Sequence, residues 1–142
     1  MTAKEYLLRL RKSQINAENK QKQYDKIRKS ITYLEGLRYD KDRVQTSPKD
    51  SLSEMVAELV DAENAVLQSL KEYNDLFNDC VDKINGLSKA EYAEILSRRY
   101  ICDDKEERRF ENISVAMGYS YYRTCHIHGE ALQEFEDKYL ST

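Results

Sequence analysis

Apolar residues recur at helical spacing along almost the whole chain. In residues 3–36 they form a stripe that thins between Arg11 and Gln23, and its members are Leu7, Leu10, Tyr24, Ile27, Ile31 and Leu34. Apolar positions three and four residues apart predict one amphipathic helix, which we expect Gly36 to end. No run of alternating β-branched residues indicates a strand. The pattern predicts an all-α fold.

Residues 52–87 carry the most regular repeat. One series spaced by seven comprises Leu52, Leu59, Val66, Tyr73, Cys80 and Leu87, and a second, four positions later, comprises Val56, Glu63, Leu70, Phe77 and Ile84. Five such heptads indicate a coiled-coil seam. The partner of this seam is either the first helix, folded back as a hairpin, or a second copy. Glu63 then either fixes the register or faces a lysine of the basic first helix.

The boundaries of this second helix are also marked in the sequence. Residues 37–50 are rich in turn formers and predict a linker. Ser51 with Glu54 resembles a capping box that would open the helix, and Gly86 would end it. We therefore expect residues 1–87 to form a long helical hairpin or coiled coil.

Residues 88–142 predict a three-helix unit that contains a helix-turn-helix. Ser88 with Glu91 would open a helix from Lys89 to about Tyr100, and the last helix would run to about Leu140. The second helix presents an apolar face made of Phe110, Ile113, Ala116 and Met117, and the last helix presents one made of Thr124, Ile127, Ala131 and Leu132. Gly118 tolerates the left-handed backbone that ends a helix, and Ser120 can cap the next one.

Composition and charge narrow the class of protein. One proline and four glycines in 142 residues favour long helices, and no segment resembles a membrane span or a signal peptide. Three cysteines without paired spacing fit a reducing compartment, so we expect a cytoplasmic protein. The net charge of −3 is unevenly spread: residues 1–50 hold 13 basic and 7 acidic residues, residues 51–96 hold 3 and 10, and residues 97–142 hold 7 and 9.

Several segments resemble a known family. The segments that carry the resemblance are LSRRY, FENISVAMGYS and HIHGEAL, with RVQTSPKDSLSEMVAEL ahead of the long helix. In them the chain resembles small phage transcription regulators of the ArpU/RinA type, whose C-terminal unit is similar to region four of sigma factors. The resemblance covers roughly residues 30–135. It implies a sequence-specific DNA-binding regulator of late genes in a phage or prophage of a Gram-positive bacterium. The loop CDDKEERRF and Thr124 depart from the family pattern.

The recognition helix of a helix-turn-helix enters the major groove and reads bases with its N-terminal residues. By the family pattern this helix would run from Ser120 to about Lys138. The candidate DNA-binding residues are Ser120, Tyr121, Tyr122, Arg123, Cys125 and His126, with Arg108 and Arg109 available for phosphate. Arg123 could contact guanine or hold a phosphate, or it could be an ordinary exposed arginine. We expect one of the two tyrosines to face DNA and the other to complete the core, and His128 to be structural.

Other chemistries have weaker support. Cys125, His126 and His128 suggest zinc, with Cys102 as a fourth ligand, but they do not share one helix face, so we expect no metal and no cofactor. No phosphate-binding glycine loop or nucleophile with an orienting base is evident, so we do not expect an enzyme. The expected partners are double-stranded DNA, a second copy through the coiled coil and, more weakly, RNA polymerase. The alternatives are a DNA-packaging component like a small terminase subunit and a coiled-coil adaptor.

Overall fold

A computed structural model describes residues 1–40 and 48–141 of the chain, with side chains described for residues 1–36 and 52–141. Within these ranges the chain forms helices and no strand, which confirms the all-α prediction. The helices are α1 (Ala3–Asp40), α2 (Pro48–Asn85), α3 (Ala90–Leu96), α4 (Phe110–Met117) and α5 (Tyr121–Phe135). Single π-helical turns over Ser97–Ile101 and Glu136–Leu140 follow α3 and α5.

The long helices begin and end at different residues from those expected. Helix α1 passes through Gly36 to Asp40, because a glycine inside a helix costs only about 1 kcal/mol. Helix α2 begins at Pro48, since proline suits the first turn of a helix, where its missing N–H is not needed. Ser51 therefore lies inside α2 and does not open it. Residues 41–47 of the predicted linker lie outside the described residues.

The second predicted capping box is also wrong. The residue before α3 is Lys89, in extended conformation and without a side-chain cap. The Ser88 N–H donates to Glu134 at 3.2 Å, and Glu91 accepts a hydrogen bond from the Tyr119 hydroxyl at 3.0 Å. Tertiary partners have replaced the local cap. The prediction that the second helix ends at Gly86 is confirmed, because the last residue of α2 is Asn85.

The chain divides into two compact units, and the larger one comprises Met1–Lys12 and Tyr73–Thr142. Its core joins the first turns of α1, the end of α2 and all three later helices, and its most deeply buried large side chains include Leu7, Ile84, Ile95, Leu96, Ile113 and Phe135. The ring of Tyr6 lies 5.7 Å from that of Phe135, and the Tyr6 hydroxyl accepts a hydrogen bond from Lys83 at 2.9 Å. The first twelve residues thus pack with the C-terminal helices. The predicted division of the chain into residues 1–87 and 88–142 stays a prediction.

The smaller unit comprises Ser13–Glu72, in which the remaining parts of the two long helices pack together. Ala17 and Ile31 of α1 and Val66 of α2 are buried there, and the buried hydroxyl of Ser69 donates to the Ala65 carbonyl at 2.7 Å. Of the heptad positions in this part of α2, the first series is buried or half-buried, whereas Val56, Glu63 and Leu70 of the second series are exposed. Only one flank of the predicted seam is therefore covered in this unit.

Candidate nucleic-acid interface

The turn between α4 and α5 has the geometry that its sequence predicts. Gly118 adopts φ 77° and ψ 25°, in the left-handed region, and its N–H donates to the Ser114 carbonyl at 2.9 Å. The Tyr119 N–H donates to the same carbonyl at 3.0 Å, which closes the end of α4. Ser120 Oγ accepts the Arg123 N–H at 3.1 Å. The predicted roles of Gly118 and Ser120 in this turn are confirmed.

The inner face of the motif fixes α5 in the larger unit. Thr124, Ile127 and Ala131 are buried, as predicted, and the Thr124 hydroxyl donates to the Ser120 carbonyl at 2.8 Å. On α4 the prediction is wrong at one position, because Ala116 is exposed and Ser114 is buried in its place. A buried serine is tolerated because its hydroxyl donates to the Glu111 carbonyl at 2.8 Å, one turn earlier.

The outer face of α5 carries the residues that we expected to meet DNA. Tyr122 is 82% exposed, Tyr121 is 52% exposed, and Arg123 and His126 are exposed as well. The expectation that one of these tyrosines completes the core is wrong. Tyr121 instead sets its ring at 86° to that of Phe110, with the two ring centroids 6.5 Å apart, at the edge of the core.

Neighbouring groups hold two of these side chains in place. The Arg123 guanidinium lies over the Tyr119 ring, 5.0 Å from its centroid. The His126 ring lies nearly parallel to that of Tyr122, with centroids 6.5 Å apart, and its Nε2 is 3.1 Å from a carboxylate oxygen of Glu130. Stacking restricts the rotamers of long side chains, so this face is partly preorganised.

His128 points away from this face. It is half-buried, its Nε2 lies 2.8 Å from the Tyr100 hydroxyl, and its ring meets that of Phe110 edge-on with centroids 4.9 Å apart. Burial, reinforced by the charges of Arg99 and Lys4, lowers the pKa of His128 to about 4. Burial also raises the pKa of Tyr100 to about 12. Both side chains are therefore neutral near pH 7, and the structural role expected for His128 is confirmed.

The suggested zinc ligands lie in different surroundings. Cys125 interacts with Tyr121, His126 with Glu130, and His128 with Tyr100. In the part of the chain that the structure describes, no three histidine, cysteine or acidic side chains converge as metal ligands would. The cysteines Cys80, Cys102 and Cys125 are all free thiols.

Arg108 and Arg109 belong to the segment that precedes α4 and not to α5. They line a cavity to which α1 contributes Lys4 and Arg11, and none of Tyr121, Tyr122, Arg123, Cys125 and His126 lines it. Arg109 lies within 3.4 Å and 3.6 Å of carboxylate oxygens of Glu106 and Glu111. The structure thus divides the eight predicted residues into six at the start of α5 and two at the cavity. Lys4 and Arg11 were missed because only the tertiary fold brings them there.

The start of α5 presents chemistry suited to a base edge. A guanidinium, an imidazole and two phenol groups project from about one and a half turns of one helix, and all can form hydrogen bonds. No protein-family model, curated protein or solved structure matches the chain. None of the helices in the described ranges has an apolar stretch long enough to span a membrane.

Proposed function

We propose that the chain is a sequence-specific DNA-binding transcription regulator of the phage ArpU/RinA type, which acts by binding and not by catalysis. One observation carries the proposal: α4 and α5 are joined by a capped left-handed turn that buries one face of α5 and leaves its N-terminal residues exposed. A recognition helix needs this combination, because its inner face must be anchored while its outer face enters the major groove.

The proposed contacts follow from the exposed side chains. The fork of the Arg123 guanidinium suits the two acceptors of guanine in the major groove, and its stacking on Tyr119 reduces the entropy lost on binding. Tyr122 and His126 are placed to meet thymine methyl groups, base edges or phosphates. Arg108 and Arg109 would contact phosphates, which orient the protein without reading sequence. The likeness to sigma region four also suggests contact with RNA polymerase, and the proposed location is the bacterial cytoplasm.

The test is selection of the full-length protein on a random DNA duplex pool at near-physiological salt. Enrichment of a defined motif supports the proposal, and retention without a motif favours packaging or architectural binding. On the selected motif, Arg123→Ala should weaken binding by about 1–3 kcal/mol and relax the base preference, whereas Arg108→Ala should weaken binding on all sequences. Arg98→Ala is the control, because Arg98 is exposed and pairs with Glu94. If both test variants bind like the parent, α5 is not the recognition helix.

We further propose that α2 mediates homodimerisation. Four exposed apolar side chains lie three or four residues apart along one face of α2, with Glu63 between the two pairs. They are Val56, Val60, Leu67 and Leu70, and we call them the apolar flank. Exposed apolar residues in one stripe favour a helical partner, and a two-fold dimer would present two recognition helices to a palindromic site. The same exposed flank also favours the alternative function, a coiled-coil adaptor that binds another protein.

Analytical sedimentation measures the oligomeric state directly. We expect the parent to sediment as a dimer and the double variant Leu67→Lys with Leu70→Lys as a monomer. Gln68→Lys adds a lysine about 100° round the same helix from Leu67 and should remain dimeric. A monomeric parent would refute the homodimer and leave a different protein as the partner of the flank. A much larger ring would favour the packaging alternative.

A further inference from the structure

The cavity beside Arg108 concentrates positive charge in the larger unit. It has a volume of about 270 Å³, and six of its nine lining residues are basic while none is acidic. Leu7, Leu8 and Tyr100 are the other three. The basic residues come from three separate segments and are Lys4, Arg11, Arg99, Lys105, Arg108 and Arg109.

Two of these arginines, Arg11 and Arg99, hold the loop that carries Lys105 and Arg108. The Arg11 guanidinium donates to the Cys102 carbonyl at 2.9 Å, and the Arg99 guanidinium donates to the Arg108 carbonyl at 2.7 Å. Arg99 also lies over the Phe110 ring, 4.3 Å from its centroid. Both ends of the segment from residue 102 to residue 108 are thereby fixed, and Arg11 and Arg99 are themselves held by these bonds to the backbone.

Acidic side chains balance only part of the positive charge within the described residues, since Arg109 pairs with Glu106 and Glu111. Lys4, Lys105 and Arg108 form no ion pair there, and the buried Nε of Arg108 has no hydrogen-bond partner. Burial, and after it the charge of Arg108, lowers the pKa of Arg11, while the charge of Asp103 raises it by a smaller amount. A buried donor without an acceptor is rare in folded proteins, and it is costly when the group is charged.

We propose that this cavity binds a phosphate group. Guanidinium groups match phosphate oxygens in geometry, and an anion here would relieve the repulsion between neighbouring cations. The cavity is slightly smaller than the ~300–1,000 Å³ of sites for drug-sized molecules, which suits a phosphate group rather than a larger ligand. The group belongs either to a DNA backbone or to a small phosphorylated molecule, and only the first source rests on the proposed function.

The first experiment is calorimetric titration of the full-length protein with inorganic phosphate and with pyrophosphate near pH 7, with chloride holding the ionic strength constant. We expect one site per chain, and at least about tenfold weaker binding in Arg108→Gln, since a lost charged hydrogen bond is worth more than 1.4 kcal/mol. Lys105→Gln should also weaken binding, and it does not endanger the fold because Lys105 is exposed. Arg98→Gln, with the same charge change outside the cavity, should bind like the parent. Absence of binding, or equal weakening in all three variants, would overturn the proposal.

A second experiment identifies the source of the phosphate. Binding to a duplex of arbitrary sequence is measured over a range of salt concentrations, with and without pyrophosphate. If the group belongs to DNA, pyrophosphate competes with the duplex and Arg108→Gln lowers the salt slope by about one phosphate contact, while Arg98→Gln does not. If it belongs to a small molecule, pyrophosphate binds without competing. Pyrophosphate binding without any duplex binding would refute the proposed function alone, and duplex binding without pyrophosphate binding would refute the phosphate site alone.

Discussion

The two glycines of the helix-turn-helix should respond in opposite directions to the same substitution. At Gly118, φ is 77°, a conformation that costs an L-residue about 1–2 kcal/mol. A Cβ added at Gly118 would meet no atom within 4 Å, so this cost arises from the backbone alone. Gly129 lies inside α5 without a positive φ, and an added Cβ there also meets nothing within 4 Å. Gly129→Ala should therefore stabilise α5 by roughly 0.5–1 kcal/mol, and Gly118→Ala should destabilise the motif by about 1–2 kcal/mol.

Urea unfolding followed by circular dichroism measures both effects, and amide hydrogen exchange in α5 locates them in the larger unit. The two variants should differ by about 1.5–3 kcal/mol, which is above the error of the method. Each variant is the control for the other, because the added methyl group is the same and both sites are open. Equal effects of the two substitutions, or a stabilising Gly118→Ala, would show that the left-handed turn is not the conformation in solution.

Three further changes test the packing. Leu7→Ala should lower the free energy of unfolding in urea by about 2–5 kcal/mol, because Leu7 is 1% exposed. Leu8→Ala should lower it by less than about 1 kcal/mol, because Leu8 is 39% exposed. Similar losses in the two variants would contradict the packing of residues 1–12 in the larger unit. Ser120→Ala should lower the free energy of unfolding by about 1 kcal/mol because the cap is lost. Ser120→Asp should retain most of the stabilisation that the cap gives, and equal losses in urea unfolding would argue against the cap. The pKa of His128 is lowered from 6.5 to about 4, so the unfolded state binds the proton first, and stability should fall by up to about 3 kcal/mol as the pH drops from 6.5 to 4. Urea midpoints across this range should depend less on pH in His128→Gln than in His126→Gln, and equal dependence would exclude His128 as the cause.

The parts of the fold that the sequence predicted are those determined by neighbouring residues. The turn at Gly118 and the cap at Ser120 depend on the backbone preferences of single residues, and both are confirmed. The buried positions Thr124, Ile127 and Ala131 follow from spacing along one helix. Helix termini were predicted less well, because a glycine such as Gly36 costs only about 1 kcal/mol inside a helix, and Pro48 suits the first turn ahead of Ser51.

Contacts between distant parts of the chain left no such signal. Lys4 and Arg11 line the same cavity as Arg108, although about a hundred residues separate them along the chain. In the sequence, the first twelve residues were simply the start of a long amphipathic stripe. Nothing local showed that Tyr6 and Leu7 pack into the core that also holds the C-terminal helices.

This packing changes which part of the chain should be regarded as the proposed DNA-binding unit. The sequence places it at residues 88–142, but a fragment beginning at Ser88 would lose Tyr6, whose ring lies against that of Phe135. It would also lose Arg11, which holds the Cys102 carbonyl at one end of the loop bearing Arg108. Since a helix-turn-helix of this size depends on its inner face for stability, the first turns of α1 contribute both to the core beneath α5 and to the charge of the cavity. The net charge of −3 therefore says little about affinity for DNA, because folding gathers cations from residues 4–11 and 99–109 at one cavity.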